Sequence, residues 1–303
     1  MTVRDRVKSV TPEFIRRILR CILNYVCRLG RWVIILWQIR GAKIADEGVL
    51  WVSAFVAPVT SLSNLGGWQD PVLLWDATLN VQGFGVFRVR ARTDDLWHVL
   101  PWRERRLFRV IRKFLGEGDV FVDAGANIGV FSVLASLIVG GGGRVFAIEM
   151  MPDTARILKS HLDMNGCRNV SVLEFALSDA DGEKVTATVP RGKYGQASIA
   201  RSHADAAETV DVTTARLDGL LLHVPSIKMM KVDLEGAELG AFQGGIDALA
   251  KTSAVIYEDN SRDRNVSASL TAFLQEQGFQ VREIDGNNRL AVRVLDDLGR
   301  CLA

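Results

Sequence analysis

An acidic residue and two glycines stand where a buried strand gives way to a helix. The strand is Val120-Phe121-Val122. Asp123 follows it directly, and Gly125 and Gly129 bracket Ala126, Asn127 and Ile128 before the next apolar helical run. Glycines at such a turn let the backbone bend tightly and come close to a ligand, and the start of the helix offers unpaired N–H groups to polar or anionic groups. A plain connection in an α/β fold can look the same, so the turn needs company. It has it in Glu149, at the end of the next strand, Val145-Phe146-Ala147-Ile148. That is about 20 residues on, where an acidic side chain accepts hydrogen bonds from two ribose hydroxyls. Turn and acid together admit a nicotinamide dinucleotide or S-adenosylmethionine (SAM).

Two further residues separate these cofactors. Asp123 sits in the turn, where a pyrophosphate would be repelled, whereas the sulfonium and α-amino groups of SAM are positive. The third strand, Val170 to Ala176, leads into Leu177-Ser178-Asp179, one strand further along the same edge. Asp179, with Ser178 beside it, can accept from the exocyclic amine of an adenine. The alternative is a simple turn running to Gly182.

With these stretches, Phe146-Ala147-Ile148-Glu149 with Pro152, Asn165, and above all Lys231-Val232-Asp233-Leu234-Glu235-Gly236-Ala237-Glu238, the sequence resembles the FkbM family of methyltransferases over roughly residues 94–295. The resemblance implies SAM as cofactor, contacted by Asp123, Gly125, Asn127, Gly129, Glu149 and Asp179. Met150 stands where the family commonly has proline and can still pack on the adenine face. The family mostly methylates hydroxyl groups of sugars, polyketides and other small molecules.

Methylating a hydroxyl requires positioning and a base for its proton. Asp233 and Glu235 follow the fourth strand at the cofactor's edge and are the first candidates for that work. The competing reading is that Asp233 or Glu238 caps the next helix, with Lys231 as an ion-pair partner. His203 and His223 are possible bases, although a surface histidine is the default for each, and His161 lies on a helix as a structural residue. Asp233 with Asp259 and Asn260 would offer oxygen ligands suited to magnesium, as in catechol-type O-methyltransferases, but the resemblance requires no metal. The polar connection 190–208, with Tyr194 and Gln196, has the length of a substrate lid.

The elements that must position these residues alternate strand and helix from about residue 98. They close on two strand-like runs, near Gln280–Ile284 and Leu290–Leu295, with no helix between them. That pattern predicts a doubly wound, Rossmann-like seven-stranded α/β sheet with an antiparallel hairpin at one edge. Residues 48–97 read as a β-rich cap of short strands, Val49–Val56, Val72–Trp75 and Phe84–Val89, with turns at Gly66-Gly67 and Gln82-Gly83. Residues 1–47 read as a basic amphipathic helical extension. Nine of its first forty residues are Arg or Lys against Asp5 and Glu13, with apolar residues from Phe14 to Leu36 at helical spacing. Its longest uncharged run, Trp32 to Ile39, is far short of the roughly 18–20 residues of a membrane span, and arginines interrupt any signal-peptide core. The helix therefore suits peripheral contact with an anionic membrane through residues 13–40, or packing on protein.

The chain has 303 residues, 48% of them hydrophobic, which is ample for one sizeable core. A net charge of +2 gives no sign of nucleic-acid binding, and four scattered cysteines suggest neither a disulfide framework nor a zinc site in what reads as a cytoplasmic protein, peripheral at most to the inner membrane surface. The expected partner is a small-molecule or glycan acceptor. Two rival readings are a nicotinamide-dependent oxidoreductase and a non-catalytic membrane-associated adaptor on a methyltransferase fold.

Overall fold

Helix α1 (Glu13–Gln38) runs directly into β1 (Ile39–Gly41), and α2 (Ile44–Thr60) follows. The computed structural model describes residues 13–60, 71–200, 206–259 and 264–293, so the first twelve residues, the Gly66-Gly67 turn, His203 and Asn260 lie outside it. The apolar run Val49–Val56, read as a strand, is the middle of α2. Leu50, Ser53, Ala54 and Ala57 are buried at helical spacing, while Asp46 and Glu47 sit in the first turn and accept from the amides of Lys43 and Gly41. A short apolar run does not reveal its period, and here the acidic first turn decides for helix. Of the three short strands expected in a cap only the last forms, as β3 (Gly85–Val89); its antiparallel sheet is completed by β2 (Ala77–Val81) and by β1, from the stretch read as helical extension. Val72–Trp75 is not a strand in it, being tied instead to α2 by the bond from the Leu74 amide to Ser53 Oγ, 3.0 Å.

After the short α3 (Asp95–His98) and α4 (Arg105–Phe114), the chain alternates as expected. It forms β4 (Val120–Ala124), α5 (Val130–Val139), β5 (Arg144–Ile148), α6 (Pro152–Met164) and β6 (Val170–Leu173). The third strand then breaks. β7 (Ala176–Leu177) leaves the main sheet to pair with β9 (Ala206–Ala215), which also pairs with β8 (Lys184–Pro190). The stretch read as a long polar connection, 190–208, joins β8 to β9 of this small sheet. Next come α7 (Leu217–Leu220), β10 (Ile227–Val232), α8 (Glu238–Gln243), α9 (Ile246–Ala250), β11 (Thr252–Glu258), α10 (Arg264–Glu276), β12 (Phe279–Glu283) and β13 (Asn288–Arg293). The chain between β10 and β11 forms two helices divided at Gly244-Gly245, where a Cβ on Gly244 would strike the Ser178 carbonyl.

The main sheet has the order β12-β13-β11-β10-β4-β5-β6. Its five middle and edge strands from β11 to β6 are parallel, and the closing hairpin inserts β13 antiparallel to β11. Its central strands are apolar on both faces because both are covered. One buried cluster extends from Trp32 and Ile35 of α1 through Phe87 to Phe121 of β4, and a second fills the other face around Met230, Phe242 and Tyr257.

The hairpin β2–β3 is fastened to the main sheet by one face of α6. Asn165 accepts from the Val86 amide and donates to the Val86 carbonyl, both at 2.8 Å, as a neighbouring strand would. One turn earlier, buried His161 accepts from the Arg88 amide at 2.9 Å and bonds the Ile128 carbonyl at 2.6 Å. Burial holds His161 below the usual imidazole range, and hence neutral. Asn165→Ala removes both bonds to β3 and strands two backbone groups. The expected cost is about 2–3 kcal/mol, read as a lower midpoint in urea with an unchanged slope.

Candidate functional site

Strand register assembles the charged centre. Asp123 of β4 lies directly across from Lys231 of β10, so the two side chains share a face. Asp233 returns to that face two residues later. The Lys231 Nζ lies 3.7 Å from Asp123 Oδ1, 3.3 Å from Asp233 Oδ2 and 5.0 Å from the Phe131 ring centre. Burial alone would lower the Lys231 pKa, but Asp233 and Asp123 outweigh it and hold the ammonium protonated. Asp123 is fully buried and accepts from Ser132 Oγ at 2.6 Å, and desolvation raises its pKa despite Lys231.

Register continues past the last paired residues, Val232 and Tyr257, to set Asp233 beside Glu258. These two carboxyls lie within 4.8 Å of each other and interact directly. Burial and the Asp233 charge push Glu258 up to about 10, while Lys231 overcomes desolvation and holds Asp233 low. At neutral pH the pair therefore carries one proton, on Glu258. Glu235 is the third carboxylate of this group, in which one oxygen from each of the three lies within 4.8 Å of the others. Its backbone is left-handed, with φ at 52°, which turns the chain sharply after β10. Glu238 caps that turn, its Oε1 accepting from the amides of Leu234 at 2.9 Å and Gly236 at 3.1 Å.

The glycine turn opens at the carboxyl edge of β4. Gly125 has φ at 78°, and a Cβ there would run into the Asp233 carbonyl, so glycine is required. The turn's amides are mostly spent within the protein. Those of Gly125 and Ala126 donate to the Ile148 carbonyl at 3.0 and 2.9 Å, and that of Gly129 to Ala126. The Asn127 amide donates to Glu149 Oε2 at 2.8 Å, while Met151 donates to Oε1 at 2.8 Å. Burial nonetheless pushes Glu149 up to about 7. Asn127 Oδ1 is buried without a hydrogen-bond partner.

These residues line an open cavity at the carboxyl edge of the sheet. Asn127, Glu149 and Met150 line one end, together with Ala176 and Leu177, Asp233, Glu235 and Glu258 line the other, and Gly125 lies between them against Asp233. Of the residues expected at the cofactor, Asp123 and Gly129 lie behind the wall. Ser178 and Asp179 also fall outside the lining, in the turn after β7, where Ser178 Oγ bonds Asp179 Oδ1 at 3.1 Å. Asp259 turns to Arg289, 3.6 Å away, and Asn260 lies outside the described residues. His223 is exposed at the opposite, amino edge of β10.

The connection whose length suggested a lid contributes Tyr194 and Gly195 to the cavity wall, held by residues that no motif announced. Asp94 accepts from the amides of Tyr194 and Gly195 at 3.1 and 3.2 Å, drawing that short turn over the opening. His98 stands 3.3 Å from Asp94 Oδ2, and Arg103 donates to His98 Nδ1 at 2.6 Å. Arg90, doubly bonded to buried Asp95, stacks 4.1 Å over the Tyr194 ring. A Cβ on Gly195 would collide with His98 and Asn127. Tyr194 and Gly195 line the cavity, as do His98 and Arg103, whereas Gln196 does not. For His98 and Asp94 the sequence carries no local signal, because the contact spans about a hundred residues.

An open sheet of this order, with a glycine turn at its central strand and an acidic residue ending the next, defines the class: a Rossmann-like α/β methyltransferase. Residues 123–281, more than half of the chain, match the family model described as the methyltransferase FkbM domain. The chain belongs to that family. A hexuronic acid methyltransferase, AglP, of Haloferax volcanii is 27% identical over 179 residues, covering 59% of this chain and 72% of that protein. A probable cobalt-precorrin-6B C(15)-methyltransferase of Sulfolobus acidocaldarius is 34% identical over 71 residues, which are 23% of this chain and 37% of that one. Among solved structures, a SAM-dependent O-methyltransferase of Thermotoga maritima aligns over 74% of this chain and 88% of its own, at 14% identity and a TM-score of 0.42.

Proposed function

We propose that this methyltransferase moves the methyl group of SAM to a hydroxyl oxygen of a sugar or glycolipid-like acceptor. The observation that carries the cofactor is the state of the glycine turn. A dinucleotide's pyrophosphate needs free amides there. The amides of Gly125, Ala126, Asn127 and Gly129 are already bonded, one of them to the Glu149 carboxylate. An acidic cavity with a buried, unpartnered Asn127 Oδ1 suits the amino group and sulfonium of SAM instead. When bound, SAM supplies a methyl group on a positively charged leaving group. Glu149 would hold the ribose, Asn127 and the Gly125 turn the amino-acid end, and Met150 the adenine face. Asp123 and Gly129 shape that wall from behind, and Ser178 and Asp179 flank the adenine end.

Asp233 is the proposed base. It is ionised, and it reaches the cavity while Lys231 and Glu258 fix its orientation. It orients the acceptor hydroxyl and takes its proton as the oxygen is alkylated, and Glu235 positions the same group. Hydrogen-bonding side chains at this end, with Arg103 and His98, suit the hydroxyls of a sugar. The hexuronic acid named for the Haloferax relative makes uronic acids the first acceptors to try. Thermal melts with S-adenosylhomocysteine (SAH) and with NAD test the cofactor. Ligand at about 100 times its Kd should stabilise by about 2.7 kcal/mol. A shift with NAD alone would sink this reading.

The layout we propose is a catalytic domain over 98–303, a cap formed by β1, α2 and the β2–β3 hairpin, and ahead of it α1, which rests on an anionic membrane from the cytoplasmic side. No helix among the described residues is long and apolar enough to cross a membrane. Among its described side chains α1 instead exposes apolar Leu23, Val26, Val33 and Trp37, the last 72% exposed. α2 adds exposed Trp51 and Phe55. The cationic first forty residues fit anionic lipid. In flotation the chain should follow phosphatidylserine vesicles and leave them on Trp37→Glu with Val33→Glu. A dimer in solution that ignores vesicles would refute the membrane contact.

A further inference from the structure

A groove adjoins the acceptor end of the cavity. It shares Arg103, Glu104 and Glu258 with that cavity, and its other walls are the start of α4 and the β12–β13 turn. Arg105, Arg106 and Arg109 line it opposite Asn287 and Asn288. We infer that this groove seats an oxyanion carried by the acceptor, a carboxylate or a phosphate beyond the reacting hydroxyl; this rests on the acceptor site proposed above.

The arginines are placed where helix physics disfavours them. Arg105 and Arg106 occupy the first turn of α4, which holds no acidic residue, and Glu104 at the cap position makes no side-chain cap bond. Cations at a helix amino end oppose the helix dipole. Arg105 and Arg109 are also four apart, a spacing at which like charges repel. Folding does not require charge on this face, because α4 holds itself down through Leu107, Phe108 and Ile111 on the other side.

Nor is the array neutralised by any of the described residues. Glu104 is committed to Arg103 at 3.1 Å. Asp285 turns Oδ1 onto the amides of Asn287 and Asn288 at 3.1 and 3.0 Å. Arg106 donates only to the Ile284 carbonyl, 3.2 Å, and Arg105 and Arg109 have no carboxylate partner among the described residues. An anion in the groove would relieve both the dipole and the repulsion. Guanidinium groups suit the planar or tetrahedral oxygens of carboxylate and phosphate. The groove lies along the sheet edge from Glu258 to Asn288, which are paired across β11 and β13. A group bound there thus sits next to the Asp233–Glu258 pair and away from the Glu149 end.

The test uses the full chain saturated with SAH and, in parallel, without it. Three probes are titrated calorimetrically: glucuronate, glucose 1-phosphate and neutral glucose. At least one anion should bind ten times more tightly than glucose, and the advantage should shrink between 50 and 500 mM NaCl. Whichever anion binds identifies the source of the oxyanion. In Arg105→Ala/Arg109→Ala the advantage should vanish while the SAH affinity holds and the melting temperature stays level or rises, since like charges have been removed. Glucose binding as well as both anions, no anion binding with or without SAH, or a preference that survives in the double variant would each overturn the inference. A protein that fails to bind SAH at all speaks instead against the methyltransferase reading, and the cofactor-free titrations still decide the groove.

Discussion

From pH 6 to pH 8 the affinity for SAM should rise about tenfold in the wild-type protein and by much less in Glu149→Gln. The expectation follows from the position of Glu149. Its two oxygens each accept one backbone amide, yet burial pushes its pKa up to about 7. Two ribose hydroxyls are donors and need the ionised carboxylate. At pH 6 about one molecule in ten carries that form, and at pH 8 about nine in ten, for a group that titrates near 7. The sign for stability is the opposite. A carboxyl raised above its unfolded value of 4.5 favours the fold below that value, and the contribution is lost as pH rises through about 7. SAM therefore stabilises most where the free protein is least helped by Glu149. Replacement by alanine removes charged hydrogen bonds of about 1.5–3 kcal/mol each, so the affinity should fall by at least tenfold. Calorimetry across pH reads all of this. A slope that is the same in wild type and Glu149→Gln would assign the titration to the ligand's own amino group and remove Glu149 from the ribose.

The second large effect separates two neighbouring carboxyls. Asp233→Asn should lower kcat by about 10²–10⁴-fold while SAH affinity changes little, because it removes the proposed base and leaves the Glu149 end intact. Glu258→Gln should be far milder. Glu258 is pushed up to about 10 and is neutral beside Asp233 at physiological pH, a state that a glutamine amide can copy. The two carboxyls titrate as a pair, so the contrast between variants is more informative than either alone. If Glu258→Gln proves as damaging as Asp233→Asn, the proton passes to Glu258 and the roles must be exchanged. If neither affects kcat, the base lies elsewhere, and His98 under the 194–195 turn is the next residue to test.

Much of this was legible because the signals are local. The turn from Asp123 to Gly129 and the acid at Glu149 announce themselves through short spacings after apolar strands, and the chain folds them to the carboxyl edge of β4 and β5. The stretch from Lys231 to Glu238 is also self-contained. Alternation along β10 puts Lys231 and Asp233 on one face, and Glu238 folds back on its own turn. The antiparallel closing hairpin could be read from two strands without a helix between them, and β12 pairs with β13 as that implies.

What the sequence determined by itself was therefore the sheet, its glycine turn and the acids that decorate its carboxyl edge, because each depends on residues a few positions apart. Only the tertiary structure decided which of those acids face the cavity. It placed Asp123 behind the wall on Lys231, turned Asp259 to Arg289, and carried Ser178 and Asp179 off with β7. It made α2 from an apolar run with no clear period, and it brought Asp94 and His98 under a turn some hundred residues away. It also set Glu258 against Asp233, a pairing written in the register of two parallel strands and in neither strand alone. Such long-range contacts are fixed by burial and register across the whole sheet, and no spacing within one segment encodes them.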